Sequence, residues 1–421
     1  MLIDTLPRYE EFCHRLRSVR TVALDTEFIS ERTYQPDLCL VQVFADGESW
    51  MLDAPALGDL SAFWAILAQP GHETLVIAAR SELEFSLRAI GAAPAGLRDL
   101  QLAAGFIGLD YPQSAATLHE RFLRRTLRKS ETRSDWRHRP LAPTQLEYAR
   151  NDVRYLAEIW TILQARLEER GRMAWFESEM AAQVAAITET FTVGIIPRLP
   201  GQTTLTPTQQ AALHRISRWR ENRAHARNLP PRRVLRDDLV VELARRLETD
   251  PERIFAVRGL EHPGLVEFAK PIAALIREAI AETVPESTSS PDVTQKNGTA
   301  AQPLIGGSRM TSVVALLRIL VDTLCHEYEI SPSLAATTDD LRCYVHWQQQ
   351  QRPNSDDVTN GTESKGNTPY TTTLARPRLA LGWRAELFGD SLDRLLGGRL
   401  SFTVSDMRLK ISKTTDKPIQ K

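Results

Sequence analysis

The segment Val22-Ala23-Leu24-Asp25-Thr26-Glu27-Phe28 sets two carboxylates inside an apolar run. Side chains alternate along a strand, so Asp25 and Glu27 share a face, about 7 Å apart along it. Like charges side by side in an apolar setting are costly unless a cation lies between them. A hard divalent ion suits an all-oxygen pair of this kind. An edge strand that turned the pair toward water would need no ion, and this segment alone leaves both readings open.

A second segment narrows the choice. Gln145-Leu146-Glu147-Tyr148-Ala149-Arg150-Asn151-Asp152-Val153 follows Pro143-Thr144. Leu146, Ala149, Val153 and Leu156 recur at helical spacing behind that start signal. A spacing of four sets the Tyr148 phenol and the Asp152 carboxylate on one face, one turn apart. Such a pair is common by chance. Joined to Asp-x-Glu on an earlier strand, it becomes specific.

Together with the run Lys129-Ser130-Glu131-Thr132-Arg133-Ser134-Asp135-Trp136 and the following Arg139-Pro140-Leu141, these residues resemble the ribonuclease D family. That family comprises 3′-to-5′ exoribonucleases of the DEDDy class. The resemblance is close over residues 1–170 and looser beyond. It implies a ribonuclease-H-like fold and two divalent ions, Mg²⁺ or Mn²⁺, held by carboxylates at the scissile phosphate. The implied ligands are Asp25, Glu27, Glu82 and Asp152, with Tyr148 orienting the attacking water. Glu82 is a departure, because the family places an Asp there; Ile77 likewise stands where the family has His. Glu82 could also be a first-turn acid complementing a helix dipole. Asp99 reads as a helix N-cap near the site rather than a ligand.

Strands are predicted over 20–28, 38–44, 48–52, 74–78 and 97–99. Helices are predicted over 58–68, 81–90, 100–107, 114–123 and 143–168. The alternation indicates an α/β sheet, and the close succession of the first three strands makes it mixed. The expected fold class is therefore α/β plus all-α. A ribonuclease-H-like exonuclease domain (1–170) leads through a helical connector (171–204) to a helical HRDC-like domain (205–283). A flexible linker (284–308) then precedes a second HRDC-like unit (309–404) with a polar, disordered insert over 351–373. Lys410 onward reads as a frayed tail.

The formal net charge of −1 hides local asymmetry. From Arg121 to Arg139, eight basic residues face two acids. Arg125, Arg128, Lys129 and Arg133 are the expected RNA contacts, since a basic stretch beside a metal site suits phosphate. A solvated charged face is the alternative. Trp136 could stack a base, but beside Pro140-Leu141 it reads as core. Ten arginines between Arg215 and Arg246 make a phosphate-binding role plausible for the HRDC-like region as well.

The four cysteines lack metal spacing and read as reduced thiols. Met1-Leu2-Ile3-Asp4 carries no signal-peptide pattern, and no apolar stretch is long enough to span a bilayer. A monomeric cytoplasmic enzyme is expected, acting on the 3′ ends of structured RNA such as tRNA precursors. Two other readings remain: a weakly active or inactive RNA-binding protein, and a 3′-to-5′ DNA exonuclease.

Overall fold

The computed structural model describes residues 1–126, 134–193, 199–200, 205–260, 266–283, 307–351, 376–405 and 408–413. Apart from a few helical residues at their edges, the expected linker over 284–308 and insert over 351–373 lie outside these.

The chain opens with β1 (Leu2–Ile3) and α1 (Leu6–Leu16). Neither is among the predicted elements. β1 is too short to show a period. α1 buries Tyr9, Phe12, Cys13 and Leu16, an i, i+3, i+4, i+7 stripe, and its early Pro7 is a helix-start signal rather than a break. Next come β2 (Thr21–Ile29), β3 (Asp37–Ala45) and β4 (Glu48–Asp53), an antiparallel meander as expected. After α2 (Ala54–Leu57) and α3 (Ser61–Leu67), β5 (Glu73–Val76) pairs parallel to β2. Helix α4 (Arg80–Ile90) then leads to β6 (Leu97–Asp99), parallel to β5. The six-stranded mixed sheet runs β1-β4-β3-β2-β5-β6.

Its two faces differ in chemistry. Val22, Leu24, Val41, Val43 and Leu52 point into the main apolar core. The opposite face carries Asp25 and Glu27 on β2, with Leu40 and Gln42 on β3 and Met51 on β4 in register beside them.

Helices α5 (Leu100–Phe106) and α6 (Ala115–Leu123) precede α7 (Pro143–Arg154) and α8 (Leu156–Glu169). One helix is predicted over 143–168, but the structure breaks it at Tyr155 (φ −109°, ψ 1°). The break has a packing reason. α7 crosses β2, β3 and β4, whereas α8 lies against α5, β2 and β5, and a straight rod could not follow both surfaces.

Helix α9 (Met173–Val193) follows, then α10 (Pro207–Arg227), opened by reciprocal hydrogen bonds between Thr206 and Gln209. With α11 (Pro231–Val234), α12 (Asp237–Arg246), α13 (Pro251–Phe255) and α14 (Val266–Thr283) it encloses a separate core around Ile216, Val240, Leu243 and Ile272. Tyr34, in the loop after β2, reaches this unit: its N–H donates to Asn228 Oδ1 at 3.2 Å and its ring meets His225 edge-on.

The last unit comprises α15 (Gly307–Glu327), α16 (Pro332–Ala335), α17 (Thr338–Gln351) and α18 (Gly382–Leu396), then β7 (Leu400–Ser405) and β8 (Arg408–Lys413). The hairpin corrects the expectation of a frayed tail from Lys410. Phe402 and Ile411 are cross-strand partners, both half-buried against the core, and Val404 pairs in register with Leu409. Period-two alternation is visible there once the segment is compared with a strand pattern.

This last unit shares one continuous core with the sheet. Glu179 of α9 is its main polar bolt. The carboxylate accepts from Arg384 at 2.6 and 3.0 Å, from Trp383 Nε1 at 3.0 Å and from Arg378. Arg384 also donates to the carbonyls of Leu334 and Ala335. Nearby, Arg172 donates to the carbonyls of Phe106 and Glu329. Gly105 packs closely at this seam, where a Cβ would come to 3.0 Å from the Leu334 side chain and press it aside.

Burial raises the Glu179 carboxyl, but hydrogen bonds and charge from Arg384, then Arg378, outweigh it and hold the group at about 2. A depressed carboxyl stabilises the fold fully above its unfolded value, near 4.5, and that stabilisation is lost as pH falls through about 2. The difference corresponds to about 3 kcal/mol. Glu179→Gln should therefore lower stability by roughly 3 kcal/mol at neutral pH, leaving the buried Arg384 without a counter-charge. Urea unfolding of wild type and variant should converge between pH 4.5 and about 2. Equal midpoints at neutral pH would refute the role of the ion pair.

Candidate metal and nuclease site

β2 and α7 bring the two sequence motifs together. Carboxylate oxygens of Asp25, Glu27 and Asp152 lie within 4.8 Å of one another, all half-buried. The Tyr148 hydroxyl hydrogen-bonds the Asp152 carboxylate, as the four-residue spacing implies.

Glu82, in the first turn of α4, stands outside that trio. Thr26 lies between Asp25 and Glu27 and so points to the other side of β2, where its hydroxyl donates to Glu82 Oε1 at 2.7 Å. Glu82 is thus brought to the back of the same strand position. It is 3% exposed, and its Oε2 has no hydrogen-bond partner.

The junction into α4 is tightly held. Ala78 takes a left-handed conformation (φ 66°), unusual for a residue with a side chain. Asp99 clamps it, accepting from Ala78 N at 3.2 Å, Ala79 N at 3.0 Å and Gln101 N at 2.9 Å. One carboxylate therefore caps α5, as expected, and also fixes the turn that aims Glu82.

The electrostatics follow from burial and crowding. Burial, and then the charges of Asp25, Asp152 and Glu82, push Glu27 up to about 9. Burial followed by Asp25 raises Glu82 to about 8. The same two causes raise Asp152 to about 8, against the Tyr148 hydroxyl. Burial raises Asp25 to about 6, opposed by the Thr26 N–H. The group holds more negative charge than the protein offsets. Convergent carboxylates and an unpartnered Glu82 oxygen fit a divalent cation by donor chemistry.

A cleft of roughly 430 Å³ opens beside Glu27, lined by Phe28, Ser30, Arg32, Ser134 and Trp136 among others. Trp136 is 2% exposed, so it is core as expected, with its ring 6.1 Å from that of Tyr148. The basic segment is divided. Arg128, Lys129 and Arg133 fall within 127–133, outside the described residues. Arg125 is exposed, its guanidinium 4.6 Å over the Tyr155 ring.

Arg137 pairs with Asp37. Arg139 binds Asp53 with two hydrogen bonds of 2.7 and 2.8 Å and also reaches the carbonyls of Trp136 and Cys39. It is a clamp that fastens the approach to α7 onto β3 and β4, and it is not free for phosphate. Gln145 continues the clamp, accepting from Ala142 N and donating to Ser134 Oγ. Sequence reasoning missed Thr26 and Arg139 because their partners are distant in the chain, and Gln145 because its bonds depend on how the segment before α7 folds back.

The HRDC-like arginines need a similar correction. Among the described residues, all but Arg218 and Arg233 of the ten are engaged with carboxylates. The free positive charge is much smaller than the arginine count suggests.

Residues 2–168 match the 3′-5′ exonuclease family, and residues 209–276 match the HRDC domain. Ribonuclease D of Acidiphilium cryptum is 31% identical over 428 residues, covering 98% of this chain and 96% of the relative. Ribonuclease D of Gluconacetobacter diazotrophicus is 30% identical over 416 residues, covering 97% and 96%. The chain belongs to the ribonuclease D family. It is a 3′-to-5′ exoribonuclease, and its fold matches the crystal structure of Escherichia coli RNase D with a TM-score of 0.74 at 27% identity, over 94% of this chain and 98% of that one. The ribonuclease-H-like sheet and the helical HRDC region are the family's architecture. No helix among the described residues is long and apolar enough to cross a membrane.

A carboxyl whose pKa is raised on folding costs no stability below its unfolded value and increasingly more as pH rises through its folded value. The metal-free protein should therefore lose stability as pH climbs toward 9. A divalent cation should recover it. The rise in melting temperature on adding Mg²⁺ should be larger at pH 9 than at pH 6, and Asp25→Asn should abolish it. An equal shift in that variant would exclude this cluster as the cation site.

Proposed function

We propose that this exoribonuclease holds two divalent ions, Mg²⁺ or Mn²⁺, at Asp25, Glu27, Glu82 and Asp152. It would hydrolyse the terminal phosphodiester and release nucleoside 5′-monophosphates. The observation that carries this reading is the convergence of Asp25, Glu27 and Asp152 from two motifs far apart in the chain. Bound divalent ions would supply Lewis-acid charge at phosphorus and ease deprotonation of water.

The chain's own residues do the rest. The cleft beside Glu27 accepts the 3′-terminal nucleotide, with Trp136 and Phe28 as apolar walls. Tyr148, held by Asp152, orients the attacking water through its hydroxyl. The water oxygen bonds to phosphorus, the bond to the 3′ oxygen of the preceding nucleotide breaks, and that oxygen takes up a proton. Arg125, Arg128, Lys129 and Arg133 meet the backbone of the incoming strand.

The substrate class is structured RNA with a short 3′ extension, tRNA precursors included. The Escherichia coli enzyme is described as an exoribonuclease involved in structured RNA processing, which supports this choice. We take residues 1–170 as the catalytic domain, 205–283 as the HRDC domain and 309–404 as a second HRDC-like unit, with α9 between them as a packed strut. The protein acts as a monomer in the cytoplasm, and its free cysteines suit a reducing compartment.

The test is a time course on a 5′-labelled, tRNA-like RNA with a short 3′ extension, in Mg²⁺, Mn²⁺ and chelator, beside DNA of the same sequence. Metal-dependent shortening from the 3′ end is expected, on RNA in preference to DNA. Asp25→Asn and Asp152→Asn should each abolish it while RNA still binds. Tyr148→Phe should lower kcat with little change in KM, because only a hydroxyl is lost. Intact rates in the Asn variants would refute the site. Binding without shortening in either metal would favour the RNA-binding alternative, which the position of Glu82 outside the trio also motivates.

A further inference from the structure

Gln42 is a buried polar residue that the reaction above does not use. It is 0% exposed, and neither its amide oxygen nor its amide nitrogen has a hydrogen-bond partner among the described residues. A side-chain amide can make up to four hydrogen bonds, and burying one with none carries the full desolvation penalty. Native structures rarely leave such a group unpaired without a missing water, ion or functional partner.

Its register identifies the partner. Gln42 on β3 lies directly opposite Asp25 on β2. Side chains opposite one another on antiparallel strands share a face, with Cβ atoms about 5 Å apart. That face is covered by α7, which carries Tyr148 and Asp152. The flanking positions are apolar: Leu40 lies opposite Glu27, and Met51 is the partner of Gln42 on β4. The amide is therefore the polar neighbour of Asp25 on the side away from Thr26. It is also neutral, so it adds nothing to the crowded charge.

We propose that Gln42 is a positioning residue for the cation site. From the adjacent strand its amide N–H donates to the Asp25 carboxylate through one buried water. This fixes the carboxylate rotamer and leaves its remaining lone pairs for the cation. The inference rests on the cation reading given under Proposed function.

The test is Mn²⁺ titration, followed by the electron paramagnetic resonance signal of the free ion. It uses the full chain as wild type, Asp25→Asn, Gln42→Met and Met51→Leu. Gln42→Met keeps length and burial but removes the amide. Met51→Leu alters the neighbouring side chain on the same face without touching a hydrogen bond. Residues that orient metal ligands typically change affinity by about 10–100-fold when replaced. Gln42→Met should weaken Mn²⁺ binding by about that factor, with a melting temperature at or above wild type. At limiting Mg²⁺ its kcat should fall with KM for RNA unchanged, and saturating Mg²⁺ should restore the rate. Met51→Leu should bind Mn²⁺ as wild type does.

Wild-type affinity in Gln42→Met would overturn the proposal. So would equal weakening in Gln42→Met and Met51→Leu, which would reduce the role to core shape. If Gln42→Met does not fold, Gln42→Leu serves in its place, and loss of the fold in both would likewise assign the amide to core packing and overturn the proposal. If wild type binds no Mn²⁺, or Asp25→Asn binds it unchanged, the cation reading itself fails and this inference falls with it.

Discussion

Three carboxyls converge on one central strand and a fourth, Glu82, is buried on its Thr26 side, and the fold must hold them there against their mutual repulsion. Nothing local favours that arrangement. Burial raises each of these groups, and neighbouring charges add to the rise at Glu27, Glu82 and Asp152. The elements bearing them are accordingly fixed from outside the cluster. Arg139 pins the approach to α7 through Asp53, and Asp99 pins the turn into α4 through Ala78 and Ala79. Each pin works through a carboxylate that accepts several charge-assisted hydrogen bonds, stronger than neutral pairs. Positions fixed before a cation or substrate arrives need not be ordered when it binds, and that is the physical content of preorganisation.

The same constraint explains the reach of the rest of the chain. A sheet with one acidic end has fewer apolar residues left to stabilise it there. The helices after residue 307 extend the main core from the far side of α5 and α9. Glu179, Arg384 and Arg172 make that docking specific by polar contacts that tolerate little displacement. Removing the helices after residue 307 would thus expose apolar surface of α5 and α9. The HRDC region is different, since it has its own core and reaches the sheet domain through Tyr34.

How far the sequence could be read follows from the range of each signal. Asp25 with Glu27 and Tyr148 with Asp152 were readable because periods of two and about four fix which side chains share a face. Their convergence was supplied by the family resemblance, and no spacing in the chain encodes it. The sheet meander was readable from closely spaced apolar runs. Helix α1 carried a full amphipathic stripe behind Pro7 and could have been found. The break at Tyr155 could not, because it depends on two packing surfaces that only the folded sheet creates. The arginines taught the opposite lesson. Arg139, Arg215, Arg223 and Arg227 look like phosphate ligands in a linear count, yet each meets a carboxylate remote in sequence.

Glu82 shows what the reach of a glutamate means in such a frame. The backbone at this helix start is held by Asp99, so the longer side chain cannot be accommodated by sliding α4. It is accommodated by direction: the carboxylate passes to the Thr26 side of β2 and takes a hydrogen bond there. That bond lowers the cost of keeping an acid at 3% exposure while leaving Oε2 without a partner. An Asp on the same backbone would fall short of Thr26 by about one carbon–carbon bond. The threonine hydroxyl and the glutamate therefore form a unit. Exchanging either alone would leave a buried polar atom unpaired, so the site reads as adapted to Glu82 rather than merely carrying it.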